Sequence, residues 1–186
     1  MSEKKLAVIF PGIGYHCDKP LLYHAKKIAA ACGYEIREVP YQGFPARVKG
    51  DPEKMRRSFE MAMEQTEEIL GDVCWEDYSG LLFISKSVGT VVAAAFAGRH
   101  GLRTRNIYFT PVAATFSFAP QEGIVFHGTA DPWATDEEIE AGCRACGLPL
   151  VNVPDTNHSL ELAADPIRDL QILQDVMRQV ETYLAM

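Results

Sequence analysis

Six short apolar runs punctuate the chain, at residues 6–10, 34–39, 80–84, 106–110, 123–126 and 150–153. Most are continuously apolar rather than alternating, as expected of strands buried on both faces. Helix-like segments lie between them. One runs from about Pro20 to Cys32, with Gly33 as its stop. A second covers 51–70, where Asp51 can cap and Pro52 fits the first turn. Others cover 88–99, 136–146 and roughly 166–184. Regular strand–helix alternation predicts an α/β fold: a doubly wound, mainly parallel six-stranded sheet with helices on both faces, spanning 1–186 as a single domain. One connection breaks the rhythm. Between Thr110 and Gly123 no helix is expected, only an apolar stretch in which Phe116 and Phe118 either line a pocket or pack over the sheet edge.

The third strand runs straight into Ser85-Lys86-Ser87-Val88-Gly89 and then a helix. Small-x-Ser-x-Gly is the spacing of a nucleophile elbow, a strand-to-helix turn so tight that only small residues fit two before and two after the serine. A serine hydroxyl is a weak nucleophile at neutral pH and needs a base, itself oriented by an acid. Asp131 and His158 each follow the end of a predicted strand, in the chain order Ser87, Asp131, His158. Asp155, three residues before His158, is the rival acid. Ser87 as a plain helix N-cap, His158 as a surface histidine and Asp131 as a turn cap are the competing structural readings.

With the elbow at 85–89, His127-Gly128-x-x-Asp131, Asn157-His158-Ser159-Leu160 and the turn Phe10-Pro11-Gly12-Ile13-Gly14, the chain resembles the α/β-hydrolase superfamily, and within it the small, lidless members with a dienelactone-hydrolase-like core. The resemblance spans nearly the whole chain in the right order. It implies a minimal fold without a lid and a Ser87–His158–Asp131 triad. It also implies an oxyanion hole from the backbone N–H groups of Val88 and Ile13, with Gly14 as the register alternative. Pro11 stands where the family commonly has histidine, and Ser85 where it commonly has glycine. The expected activity is hydrolysis of a small-molecule carboxylic ester or thioester through an acyl-enzyme on Ser87, with no metal or organic cofactor. A catalytically silent binding or interaction module is the alternative.

Composition narrows the partners. A formal net charge of −7 disfavours nucleic acid and anionic membranes. No apolar run reaches the roughly 20 residues of a membrane span. The five cysteines form no evident paired framework, which favours reduced thiols and a cytoplasmic protein. The helical faces leave room for a homodimer.

Several motifs compete for attention. Gly12-Ile13-Gly14-Tyr15-His16-Cys17 begins like a dinucleotide fingerprint, but Cys17 replaces the third glycine and no acid stands at the ribose-binding place; Glu38 is nearest, and Val39-Pro40 follow it. Tyr15, His16 and Trp133 are instead read as walls of the substrate pocket, with plain packing as the other option. Lys86 invites a Ser–Lys dyad, yet neighbours in such a turn point apart, so a surface or pocket-rim charge is expected. Cys143-Arg144-Ala145-Cys146 ends a helix and has no second ligand pair, which argues for a structural role.

Overall fold

A computed structural model describes residues 4–120 and 122–186. Six strands form one sheet: β1 (Lys5–Phe10), β2 (Tyr34–Glu38), β3 (Gly80–Lys86), β4 (Arg105–Phe109), β5 (Ile124–Gly128) and β6 (Leu150–Val153). Their order is β2-β1-β3-β4-β5-β6 and every pairing is parallel, so the sheet is wholly rather than mainly parallel. Parallel neighbours require crossovers. These come from α1 (Pro20–Ala31), α2 (Pro52–Leu70), α3 (Val88–His100) and α4 (Asp136–Cys146), and α5 (Pro166–Ala185) follows β6. Asp51 caps α2, accepting from the Lys54 N–H at 3.1 Å.

Alternation along each buried strand divides the core. Ile9, Ile84, Phe109 and Phe126 face α1 and α5, meeting Leu22, Ala25, Val176 and Val180. Val8, Phe10 and Phe83 face α2 and α3, meeting Met63, Val92 and Phe96. On that same side, Tyr108 and Val125 pack on Ile139 and Cys143 of α4. The connection expected to lack a helix contains a short 3₁₀ helix, Ala113–Phe118. It is fastened to α3 by the Thr90 and Thr115 hydroxyls, 2.7 Å apart. No helix among the described residues is long and apolar enough to cross a membrane.

The strand order reverses once. β1 has β2 on one side and β3 on the other, so successive connections leave in opposite directions and a crevice opens beyond the carboxyl ends of β1 and β3. The turn at residues 11–15 and the elbow at 85–89 occupy that crevice.

Candidate active site

Ser87 sits between the end of β3 and the start of α3 with φ 56° and ψ −125°, a conformation that costs a non-glycine residue about 1–3 kcal/mol. The turn persists because its surroundings fix it. The Ser87 N–H donates to the Phe109 carbonyl at 3.1 Å, and the Ser87 carbonyl accepts from Thr90. Gly89 is obligatory here: a Cβ would stand 2.3 Å from the Phe10 carbonyl oxygen and 2.5 Å from that of Pro11. Ser85 fits where glycine is commoner because its hydroxyl donates to the Ile107 carbonyl of the adjacent strand, at 3.3 Å.

The Ser87 side chain does not cap α3. Its hydroxyl instead lies 2.8 Å from His158 Nε2, and His158 Nδ1 lies 2.7 Å from Asp131 Oδ2. With Nδ1–H donating to the carboxylate, Nε2 is left to accept the serine proton. The Asp131 side chain is fully buried, and its other oxygen accepts from the Trp133 N–H at 2.9 Å. Asp155, the rival acid, is exposed and makes no bond to His158; its N–H donates to Thr129 Oγ1. The loops that carry His158 and Asp131 are tied to the sheet and to each other. Thr110 donates to the His158 carbonyl at 2.9 Å, the Ala130 N–H donates to the Thr156 carbonyl, and Asn157 Oδ1 accepts from the Ser159 N–H at 2.7 Å. Burial pushes the His158 imidazole below its ordinary value of 6.5. The Asp131 bond opposes that shift, and the charges of Lys86 and Lys49 reinforce it.

Gly12 and Tyr15 exchange backbone bonds at 3.1 and 3.3 Å, holding Ile13 and Gly14 at the tip of a tight turn. Among the described residues the Ile13 and Val88 N–H groups have no backbone acceptor, and both residues line the cavity over Ser87.

No protein-family model and no curated protein matches the chain. Solved structures do. Est1E from Butyrivibrio proteoclasticus aligns with a TM-score of 0.72 at 11% identity, covering 100% of this chain and 88% of that one. XC6422 from Xanthomonas campestris, described as an α/β serine hydrolase without a lid, aligns at 0.65 and 14% identity, covering 100% and 83%. The Pyrococcus furiosus esterase Pf2001 aligns at 0.68 and 13% identity, covering 99% and 83%. This is the α/β-hydrolase fold.

Among the described residues no lid domain is inserted into the α/β-hydrolase fold. A cavity of about 560 Å³ opens over Ser87 and His158. Its walls are Ile13, Val88 and Val91, then Val112, Ala114 and Phe118 from the β4–β5 connection, and Trp133. Trp133, one of the expected walls, lines this cavity and stacks on His158 with centroids 5.4 Å apart. Phe116, expected beside Phe118, is not a wall. The 3₁₀ helix turns it the other way, onto α4, where a Cβ on Gly142 would stand 2.2 Å from its ring. Tyr15 is not a wall either: it is buried, and its hydroxyl accepts from the Leu21 N–H at 3.1 Å. His16 is exposed outside the cavity, with Nδ1 accepting from the Asp18 N–H.

Lys86 departs furthest from expectation. It is only 2% exposed, facing the α1/α5 side of the sheet, with Nζ 4.9 Å from the Tyr15 ring centroid. Burial pushes its ammonium down to about 7, against the pull of the Asp131 and Glu161 charges. Cys143 is buried in the core, where burial raises its thiol to about 11, and Cys146 Sγ faces the Phe116 carbonyl. Among the described residues no cluster of three metal-ligating side chains occurs.

Sequence reasoning missed the other cavity wall. Residues 45–49 of the β2–α2 connection, with Met55 and Phe59 of α2, close the side facing Phe118, and the Phe59 and Phe118 rings stack at 6.0 Å. The one signal was Phe44-Pro45-Ala46 and Val48, apolar residues inside an otherwise polar loop.

Proposed function

We propose that the protein is a serine hydrolase that cleaves a carboxylic ester or thioester through an acyl-enzyme on Ser87. The observation that carries this reading is the unbroken relay from Ser87 Oγ through His158 to the buried Asp131, with both links at or below 2.8 Å. Strain at Ser87 fits a nucleophile held ready rather than a helix cap.

His158 Nε2 takes the Ser87 proton as Oγ attacks the substrate carbonyl carbon. Asp131 holds the imidazole in the Nδ1–H tautomer and stabilises the imidazolium. The N–H groups of Val88 and Ile13 receive the negative charge that develops on the carbonyl oxygen. His158 then gives its proton to the departing alcohol or thiol. A water molecule, deprotonated by His158, attacks the acyl carbon, releasing the carboxylic acid and restoring Ser87.

Est1E and Pf2001 are esterases by name, which supports an ester substrate for this chain. Hydrolysis of short- and medium-chain esters and thioesters by the wild type and by Ser87→Ala tests the reading. The variant is expected to lose on the order of 10³-fold or more in kcat. Equal turnover by both proteins contradicts it, and no turnover by a folded wild type favours a silent binding module.

A further inference from the structure

The cavity over Ser87 has a charge asymmetry that ester hydrolysis by itself does not require. Most of its wall is apolar. Three cations, Arg47, Lys49 and Arg56, also line it, and no aspartate or glutamate does. This concentration stands out in a chain with a formal net charge of −7. Among the described residues Arg56 pairs with Glu60 at 2.9 Å, whereas Arg47 and Lys49 form no ion pair.

The placement of Lys49 gives the asymmetry a direction. Its Nζ lies 5.6 Å from the Trp133 ring centroid, and Trp133 stacks on His158. Ammonium, indole and imidazole therefore follow one another out from the relay. His158 must protonate the departing atom, so the leaving group lies on the His158 side, within the field of Lys49. Arg47 stands two residues away in the same wall, with φ 54°, a left-handed conformation seldom adopted by a residue with a long side chain. Val88, Val91, Val112 and the Phe59–Phe118 pair leave the remaining space suited to an uncharged hydrocarbon group.

Building on the hydrolase reading, we infer that the substrate joins an apolar acyl group to an anionic leaving group, an alcohol or thiol bearing a carboxylate or a phosphate. Arg47 and Lys49 hold the anion, and the apolar wall holds the acyl chain. The Ser87 Oγ–acyl bond forms as the C–O or C–S bond breaks. The Ser87 proton passes through His158 to the leaving atom, and water completes the cycle. The attraction is local, because the net charge of −7 repels an anion at longer range and the cations act within about a Debye length of the cavity mouth.

A matched series of butyryl esters tests this: a neutral ester of ethylene glycol, a carboxylate ester of 3-hydroxypropanoate and a phosphate ester of 2-hydroxyethyl phosphate. At low salt, kcat/KM for at least one anionic member is expected to exceed the neutral one by about tenfold or more, the size of one partly desolvated charge contact. The carboxylate and phosphate arms tell which anion is preferred. The advantage should shrink at high salt. It should fall several-fold in the Arg47→Gln/Lys49→Gln double variant, while Arg144→Gln on α4 keeps it. Neutral ester turned over at Ser87 as fast as both anions, or a ratio unmoved by the double variant, overturns the inference while leaving the hydrolase reading intact. If no ester is turned over, calorimetry on the Ser87→Ala variant still decides the charge preference. Octyl phosphate or octanoate should bind about tenfold more tightly than octanol and lose that margin when Arg47→Gln and Lys49→Gln are added to Ser87→Ala; equal affinities overturn the inference.

Discussion

At the residue scale, two buried bases beside Ser87 give opposite consequences for pH. His158 lies below 6.5, chiefly through burial, so it is neutral and able to accept a proton over a range that extends below its ordinary titration. The acid limb of kcat/KM is therefore expected to have its midpoint below 6.5, and a midpoint well above that value would contradict the assigned base. Lys86 is depressed to about 7 while an unfolded lysine titrates near 10.5. Between those values the unfolded chain binds more protons than the folded one, so this group makes stability rise with pH over that window. Lys86→Met removes the buried charge with little change in volume. Its Tm relative to wild type is expected to be highest near pH 7 and to fall as pH is raised toward 10. A pH-independent difference would contradict the burial account. The sequence could place Lys86 next to Ser87, but not its direction, which the pleat of β3 sends toward Tyr15 and the α1/α5 side.

At the element scale, the elbow depends on how closely the β1 turn approaches α3. Gly89→Ala forces a methyl group against two backbone carbonyls that cannot yield without moving β1. The expected loss is on the order of 3 kcal/mol, read by chemical denaturation, together with loss of turnover. An unchanged midpoint would mean that the turn is looser than described. The elements themselves were legible, because strands buried on both faces write continuous apolar runs and helices end on capping residues such as Asp51. The 45–49 wall was not legible. Its residues adopt no periodic pattern, and the wall forms where Phe59 of α2 meets Phe118 of the β4–β5 connection. Phe116 and Phe118 illustrate the same limit: the 3₁₀ turn between them sends one ring onto α4 and the other into the cavity.

At the scale of the whole molecule, parallel topology explains how a relay spread over 71 residues is assembled. All six strands end at one edge, so the loops after β1, β3, β5 and β6 bring Ile13, Ser87, Asp131 and His158 together. That gathering was legible from chain order alone, since alternation fixes which loops share an edge. The choice between Asp131 and Asp155 was not, because it depends on the left-handed turn at Asp155, which carries its carboxylate into solvent. The central claim is that Ser87 is an activated nucleophile. It is tested most directly by treating wild type and Ser87→Ala with a fluorophosphonate and locating the adduct by peptide mass spectrometry. Stoichiometric labelling confined to Ser87 and absent from the variant is predicted. Folded wild type that remains unlabelled, or is labelled equally in the variant, would contradict the account.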